Sequence, residues 1–280
     1  KINNNTIKQK TLNIDFSAIS VENGMLCFNS WEHYQTVLEA LADACTEYAN
    51  SYFTDLENEL GNVTTASIEI LNDTAEARGF SQFAPLHAFC DSFAFNSLYE
   101  VLEAEELQWM DIENADIETN PFYNTYFDRY QSALHNMDGD VKIAGEIFNP
   151  SDAIRKDPCI LKGYVPYTGY FIYNGNQKQL ACKLSGADFQ CHATTTFYKT
   201  KSNGKRKLFC GKLHTGISGH VGYDCYGYSL YQITPKGKTN NYVCYQAVYS
   251  WHGLLPAYLV NKLYSEHSAV DANVTYGLQL

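Results

Sequence analysis

From position 31 the chain repeats apolar side chains every three or four residues: Trp31, Tyr34, Leu38, Leu41, Cys45, Tyr48, Tyr52 and Leu56. That spacing holds one stripe on a single side of an α-helix for about eight turns. Ser30 stands ahead of the stripe as an N-cap. Gly61 follows Leu60, where a left-handed residue closes a helix. Helical patterns recur over about 64–77 and 85–110, the second with Pro85 in a first-turn position, and over 122–134 in "FYNTYFDRYQSAL". The plain reading of 122–134 is a helix that packs a core, and Glu103, Glu105 and Glu106 read as the solvated face of 85–110.

The period changes at "NMDGDVKIAGEIFNP", where Val141, Ile143, Gly145 and Ile147 alternate behind an Asp138-Gly139 turn. A boundary is expected between about 137 and 158, with Pro150 and Pro158 breaking any helix. Alternating runs then flank Asn174-Gly175 and Asn203-Gly204, a dipeptide that suits the positive φ angles of a tight hairpin. A third hairpin about Gly186-Ala187 would set Cys182 directly opposite Cys191. Strands over 223–234 and 241–251, flanking "TPKGKTN", complete a six-strand meander closed into a sandwich or barrel. The predicted fold class is α+β: a polar tether (1–24), a helical domain (25–140) and an antiparallel β domain (141–280).

Charge sharpens this division. The 280 residues sum to −11, but residues 1–158 hold 8 Lys/Arg against 27 Asp/Glu (−19), and 159–280 hold 12 against 4 (+8). Two domains of opposite field would attract one another. Residues 191–220 carry six basic side chains (Lys199, Lys201, Lys205, Arg206, Lys207 and Lys212) and no carboxylate. The favoured reading is a solvated hairpin edge kept soluble by lysine. Docking on the acidic helices and an anionic ligand are the alternatives. Nucleic acid is set aside, because the protein is acidic and shows no recognition module. No apolar run approaches the length of a membrane span. The opening "KINNNTIKQK" reads as a tether or a trimmed mature terminus.

Nine cysteines form no C-x-x-C, so zinc-ribbon and thioredoxin-like readings lack their signature. Cys27, Cys45 and Cys90 sit in apolar patterns as small core residues. An odd total precludes complete intramolecular pairing.

Two stretches, "ENGMLCFNSWEHYQTVLEAL" and "NMDGDVKIAGEIFNP", with an acidic helical region between them and a β region after, resemble uncharacterised secreted lipoproteins of gut Bacteroidetes. In that group a "G-M-L-x-F-x-S" opening leads into a helix and a "D-G-x-V/I-x-I-x-G" element leads into the second half. The resemblance implies export, with a lipid anchor upstream of Lys1 as the only membrane attachment, or secretion. It implies no particular activity.

Candidate chemistry is sparse. Cys210, His214, His220 and Cys225 are zinc-ligand types, but C-x3-H-x5-H-x4-C matches no standard finger. Cys225 and His252 could form a thiolate–imidazole pair if the last long strands bring them together. There is no G-x-S-x-G, P-loop or dinucleotide fingerprint, and no cofactor is expected. Tyrosine is abundant, at 22 residues. On two neighbouring strands Tyr226, Tyr228, Tyr245, Tyr249 and Trp251 would leave alternate rings outward as a stacking platform for a glycan or peptide. The reading is an exported or surface-anchored, non-catalytic binding protein. The alternative is a cysteine-dependent hydrolase or transferase using the Cys/His pair.

Overall fold

Helix α1 (Trp31–Leu60) forms where the stripe places it. Ser30 accepts the His33 N–H at 3.1 Å, and Gly61 ends the helix at φ 70°. The computed structural model describes residues 18–61, 67–150, 172–175, 178–187, 190–223, 229–251, 263–270 and 273–279. Helix α2 (Ser67–Ala77) also matches its pattern. The single helix expected over 85–110 is two, α3 (Ala84–Cys90) and α4 (Leu98–Met110). Ser97 and Glu100 form a reciprocal capping box, a start signal inside the apolar pattern that restarts the helix there. The segment 122–134 is helical only in α5 (Arg129–Leu134), because Asp128 and Gln131 build a second capping box.

Four short strands flank the helices: β1 (Ser20–Glu22), β2 (Met25–Phe28), β3 (Val141–Ile143) and β4 (Glu146–Phe148), in that spatial order. Asn23-Gly24 and Ala144-Gly145 take positive φ at both positions, so both hairpins are the two-residue kind whose twist suits the strands. Strand β3 runs parallel to β2, pairing Lys142 with Cys27. Residues 141–148 thus hydrogen-bond to the chain ahead of α1.

The C-terminal region is two antiparallel five-stranded sheets. The first has the order β12-β7-β6-β5, with β8 also on β7. It comprises β5 (Ile172–Gly175), β6 (Lys178–Ala187), β7 (Gln190–Thr200), β8 (Arg206–Leu208) and β12 (Tyr245–Trp251). The second has the order β10-β9-β13-β14, with β11 also on β9. It comprises β9 (Gly211–Tyr223), β10 (Ser229–Gln232), β11 (Lys236–Val243), β13 (Leu263–Ala269) and β14 (Val274–Gln279). The order is that of a sandwich and not a simple meander, since β12 leaves β11 to pair with β7.

Alternation along β7 explains the layering. Cys191, Ala193 and Thr195 face the second sheet. There the two alanine and cysteine side chains meet Ile217 and Leu263, and the Thr195 hydroxyl meets Thr215 (2.5 Å) and His267 (2.8 Å). The opposite face of the first sheet lies under the helices: Tyr245, Ala247 and Tyr249 share one core cluster with Leu38, Leu41 and Tyr130. The molecule is helices on sheet on sheet, and its largest core draws on both sides of position 140.

Three local expectations shift. The hairpin after β6 does not turn at 186–187, because Gly186 and Ala187 still pair, with Cys191 and Gln190. Cys182 therefore faces Thr195, and four residues of offset put it about 13 Å along the strands from Cys191, beyond disulfide range. Asn174 and Gly175 pair with Gln179 and Lys178, so they are strand and not the turn expected there. "TPKGKTN" is mostly strand, since β11 begins at Lys236; its lysines meet acids of α1, Lys236 with Glu39 and Lys238 with Asp43.

Candidate functional site

The helical layer meets the first sheet across a buried charged centre. Helix α4 points Glu106 and Trp109 inward, so Glu106 is buried and not part of a solvated face; Glu103 is half-buried against His87. One oxygen of Glu106 accepts from Arg129 (2.5 Å), from the Tyr198 hydroxyl (2.7 Å) and from Asn120 (3.3 Å). Arg129, 1 % exposed, opens α5 and lies over the rings of Phe122 (4.2 Å), Phe83 (4.8 Å) and Tyr245 (5.1 Å). Its Nε and Nη1 have no hydrogen-bond partner among the described residues.

The loop ahead of α5 is pinned by Lys183 on β6. Its ammonium donates to the carbonyls of Phe122 (3.1 Å), Thr125 (2.6 Å) and Phe127 (3.2 Å). Burial brings its pKa down to about 7, against the pull of the Asp128 carboxylate. Asp128 is pushed up to about 6 by burial, although Gln131, Tyr249 and Tyr130 donate to it.

Beside this centre a cavity of about 380 Å³ opens between α2, the loop of residues 80–83 ahead of α3, α4 and the β7–β8 hairpin. Arg129, Gln82, Phe83, Cys210 and Cys244 are buried at its base, while Glu76, Leu107, Asp111 and Lys201 are exposed at its mouth. Arg206 forms part of the wall and is 9 % exposed. It donates to Gln179 (2.5 Å) and to the Ala115 carbonyl (2.6 Å), lies 4.7 Å from the Trp109 ring, and leaves Nη1 unpartnered. Burial lowers its pKa; Asp116 pulls the other way from a distance, and no described carboxylate lies within ion-pair reach.

The basic hairpin is not a solvated edge. Lys199 pairs with Glu69 (2.6 Å), Lys207 with Asp73 (2.9 Å) and Glu76, Lys201 with Glu76 (3.4 Å), and Lys205 with Asp111 (3.2 Å). The tip lies on the loop after α4: Gly204 accepts the Asn114 N–H at 3.1 Å, and any Cβ there would meet the Asn114 side chain at 2.7 Å. Gly204 supplies the expected positive φ, whereas Asn203 does not. Docking on the acidic helices accounts for these lysines.

Of the residues singled out by sequence, Cys225, Tyr226, Tyr228 and His252 lie outside the described residues. Tyr245 and Tyr249 are buried beneath the helices, Tyr249 donating to Asp128 at 2.9 Å. Trp251 stacks on Tyr249 and donates to Glu39 at 3.0 Å. These three rings are therefore interlayer packing and not an open platform. Cys210 lies against α2, its N–H donated to Asn72, whereas His214 bonds Thr239 on β9's outer face and His220 sits farther along that strand. Among the described residues no three or more His, Cys, Asp or Glu could hold a metal ion. Burial raises the thiols of Cys90 and Cys191 to about 12 and that of Cys210 well above its ordinary value, the reverse of an activated nucleophile. Among the described residues no cysteine–histidine catalytic pair is evident.

Sequence reasoning missed Glu106, Arg129, Lys183 and Arg206. One signal was there to be read: Asp128-x-x-Gln131 caps a helix whose first residue is the sole cation in 122–134.

No protein-family model matches the chain, and no curated protein matches it. A solved structure that it resembles weakly is a DUF4848 family protein from Bacteroides thetaiotaomicron, at 15% identity and a TM-score of 0.26, over 94% of this chain and 100% of that one.

Proposed function

We propose that the protein is an exported or surface-anchored, non-catalytic binding protein whose ligand enters the cavity between the helices and the β7–β8 hairpin. The cavity carries this reading. Its volume falls in the range of small-molecule sites, and its wall joins apolar rings to a few convergent polar groups, as such sites do. Raised thiol pKa values at Cys45, Cys90, Cys191 and Cys210 favour binding over thiol catalysis. Export rests on the sequence resemblance to secreted Bacteroidetes lipoproteins.

Leu107 stands 58 % exposed at the mouth, so Leu107→Trp should narrow the entrance without disturbing the core. A thermal-shift screen of small organic molecules is expected to give compounds that raise the Tm of the unaltered protein saturably and act much more weakly on the variant. Compounds that stabilise both proteins equally, or none that saturate, would remove the cavity from consideration. A bound compound recovered chemically changed would favour the hydrolase or transferase reading.

A further inference from the structure

Four cations line the cavity, and three have acids. Lys201 and Lys207 share Glu76, and Arg129 has Glu106. Arg206 has none within ion-pair distance among the described residues, Asp116 acting on it only from farther off, and it is 9 % exposed. A cation taken out of water without a counter-charge is costly to hold. Its neighbours supply amide and carbonyl oxygens and the Trp109 face, and its Nη1 remains without an acceptor. Arg129, on the same cavity, adds two further nitrogens without a hydrogen-bond partner. Between the charged and amide groups the wall is apolar, with Phe53, Phe80, Phe83, Leu107, Met110 and Leu208.

We propose that the cavity binds a carboxylate carried on a small apolar body, with Arg206 as the counter-charge; this rests on the cavity being the ligand site. A guanidinium offers paired, coplanar donors that match the two oxygens of a carboxylate. One cation without a close ion pair leaves a place for one negative charge. A phosphate monoester would bring a second charge close to Glu103 and Glu106, which line the same space. The apolar wall then selects the body: an aryl or alkyl chain of about ten carbons suits a site of this size. Such a carboxylate has two sources, a free organic acid or the C-terminus of a peptide.

The test compares 3-phenylpropanoate with 3-phenylpropanamide by calorimetry at neutral pH on the intact protein. The acid is expected to bind roughly tenfold or more tightly, the worth of a charge-assisted hydrogen bond. That preference should disappear in Arg206→Gln and survive in part in Arg206→Lys. Phenethyl phosphate should bind more weakly than the acid. N-acetylphenylalanine separates the sources: tighter binding than 3-phenylpropanoate identifies a peptide terminus, weaker binding a free acid. If acid and amide bind alike, or if only uncharged compounds from the Leu107→Trp screen bind, the cavity remains a ligand site and the role of Arg206 is overturned. If nothing binds, both readings fall. Should Arg206→Gln not fold, the acid-to-amide ratio in the unaltered protein and in Arg206→Lys decides.

Discussion

His135 shows how much depends on one protonation state in this core. Its Nδ1 lies 2.8 Å from the Gly139 carbonyl, which can only accept, so Nδ1 carries the proton and Nε2 accepts from the Tyr34 hydroxyl at 3.0 Å. Burial brings its pKa down to about 4 and that of His267 to about 3, and pushes His192 well below the ordinary value. A depressed imidazole means that the unfolded chain binds the extra proton first. The stability is whole above about pH 6.5 and drains away as pH falls towards 4. Asp128 acts oppositely, since its raised pKa lets the folded state hold a proton between the carboxylate's ordinary value and about 6. Three depressed imidazoles, joined by the lowered carboxyls of Glu69, Asp73 and Glu76, outweigh Asp128 and the raised His87, so Tm should fall on acidification from pH 6.5 to 4. The share of His135 is about 3 kcal/mol. In His135→Gln the melting temperature should fall less steeply over that interval; an unchanged slope would show that this imidazole is not what titrates.

Among the elements, the β7–β8 hairpin with the start of β6 forms a charge ladder with α2: Lys178, Lys199, Lys201 and Lys207 against Glu69, Asp73 and Glu76. The partners are largely exposed, so each pair contributes little, but together they share carboxylates as a network. Replacing Lys199, Lys201 and Lys207 by Gln should cost about 1–2 kcal/mol in urea unfolding at low salt, and much of the difference should vanish near 1 M salt. A cost that ignores salt would mean that the lysine stems, and not their charges, hold the hairpin down.

Elements of this kind were only partly legible in the sequence. Helix α1 was readable because cap, stripe and stop lie within about thirty consecutive positions. The hairpin tip at Asn203-Gly204 was readable for the same local reason. The site was not, because nothing local separates Glu106 from Glu103 and Glu105 on the same helix. What buries Glu106 is Arg129, 23 residues away, and Tyr198, 92 away. Likewise, Lys205, Arg206 and Lys207 are adjacent cations, and only the packing of Trp109 and Ala115 distinguishes the middle one.

Taken whole, the molecule joins its oppositely charged halves through one core. Tyr198, Tyr245 and Tyr249 of the first sheet complete the surroundings of Glu106, Arg129 and Asp128. A fragment of residues 18–150 would leave a buried ion pair and an apolar face open to water. It is expected to lose near-ultraviolet dichroism and cooperative melting. A fragment that melts sharply near the Tm of the intact chain would instead establish the helical part as an independent domain.

The separation of Arg129 from Tyr245 along the chain also sets a timetable. Whether it emerges from a ribosome or threads a membrane, the chain appears N-terminus first. At typical synthesis speeds the 116 residues from 129 to 245 take on the order of ten seconds to follow. Helices form in microseconds or less. For that interval the guanidinium of Arg129 and the stripe of Leu38 and Leu41 have no sheet above them. The nascent protein must therefore pass through a stage that displays an apolar helical surface with a hydrated cation in it, a surface that a chaperone can occupy until the last long strand of the first sheet arrives.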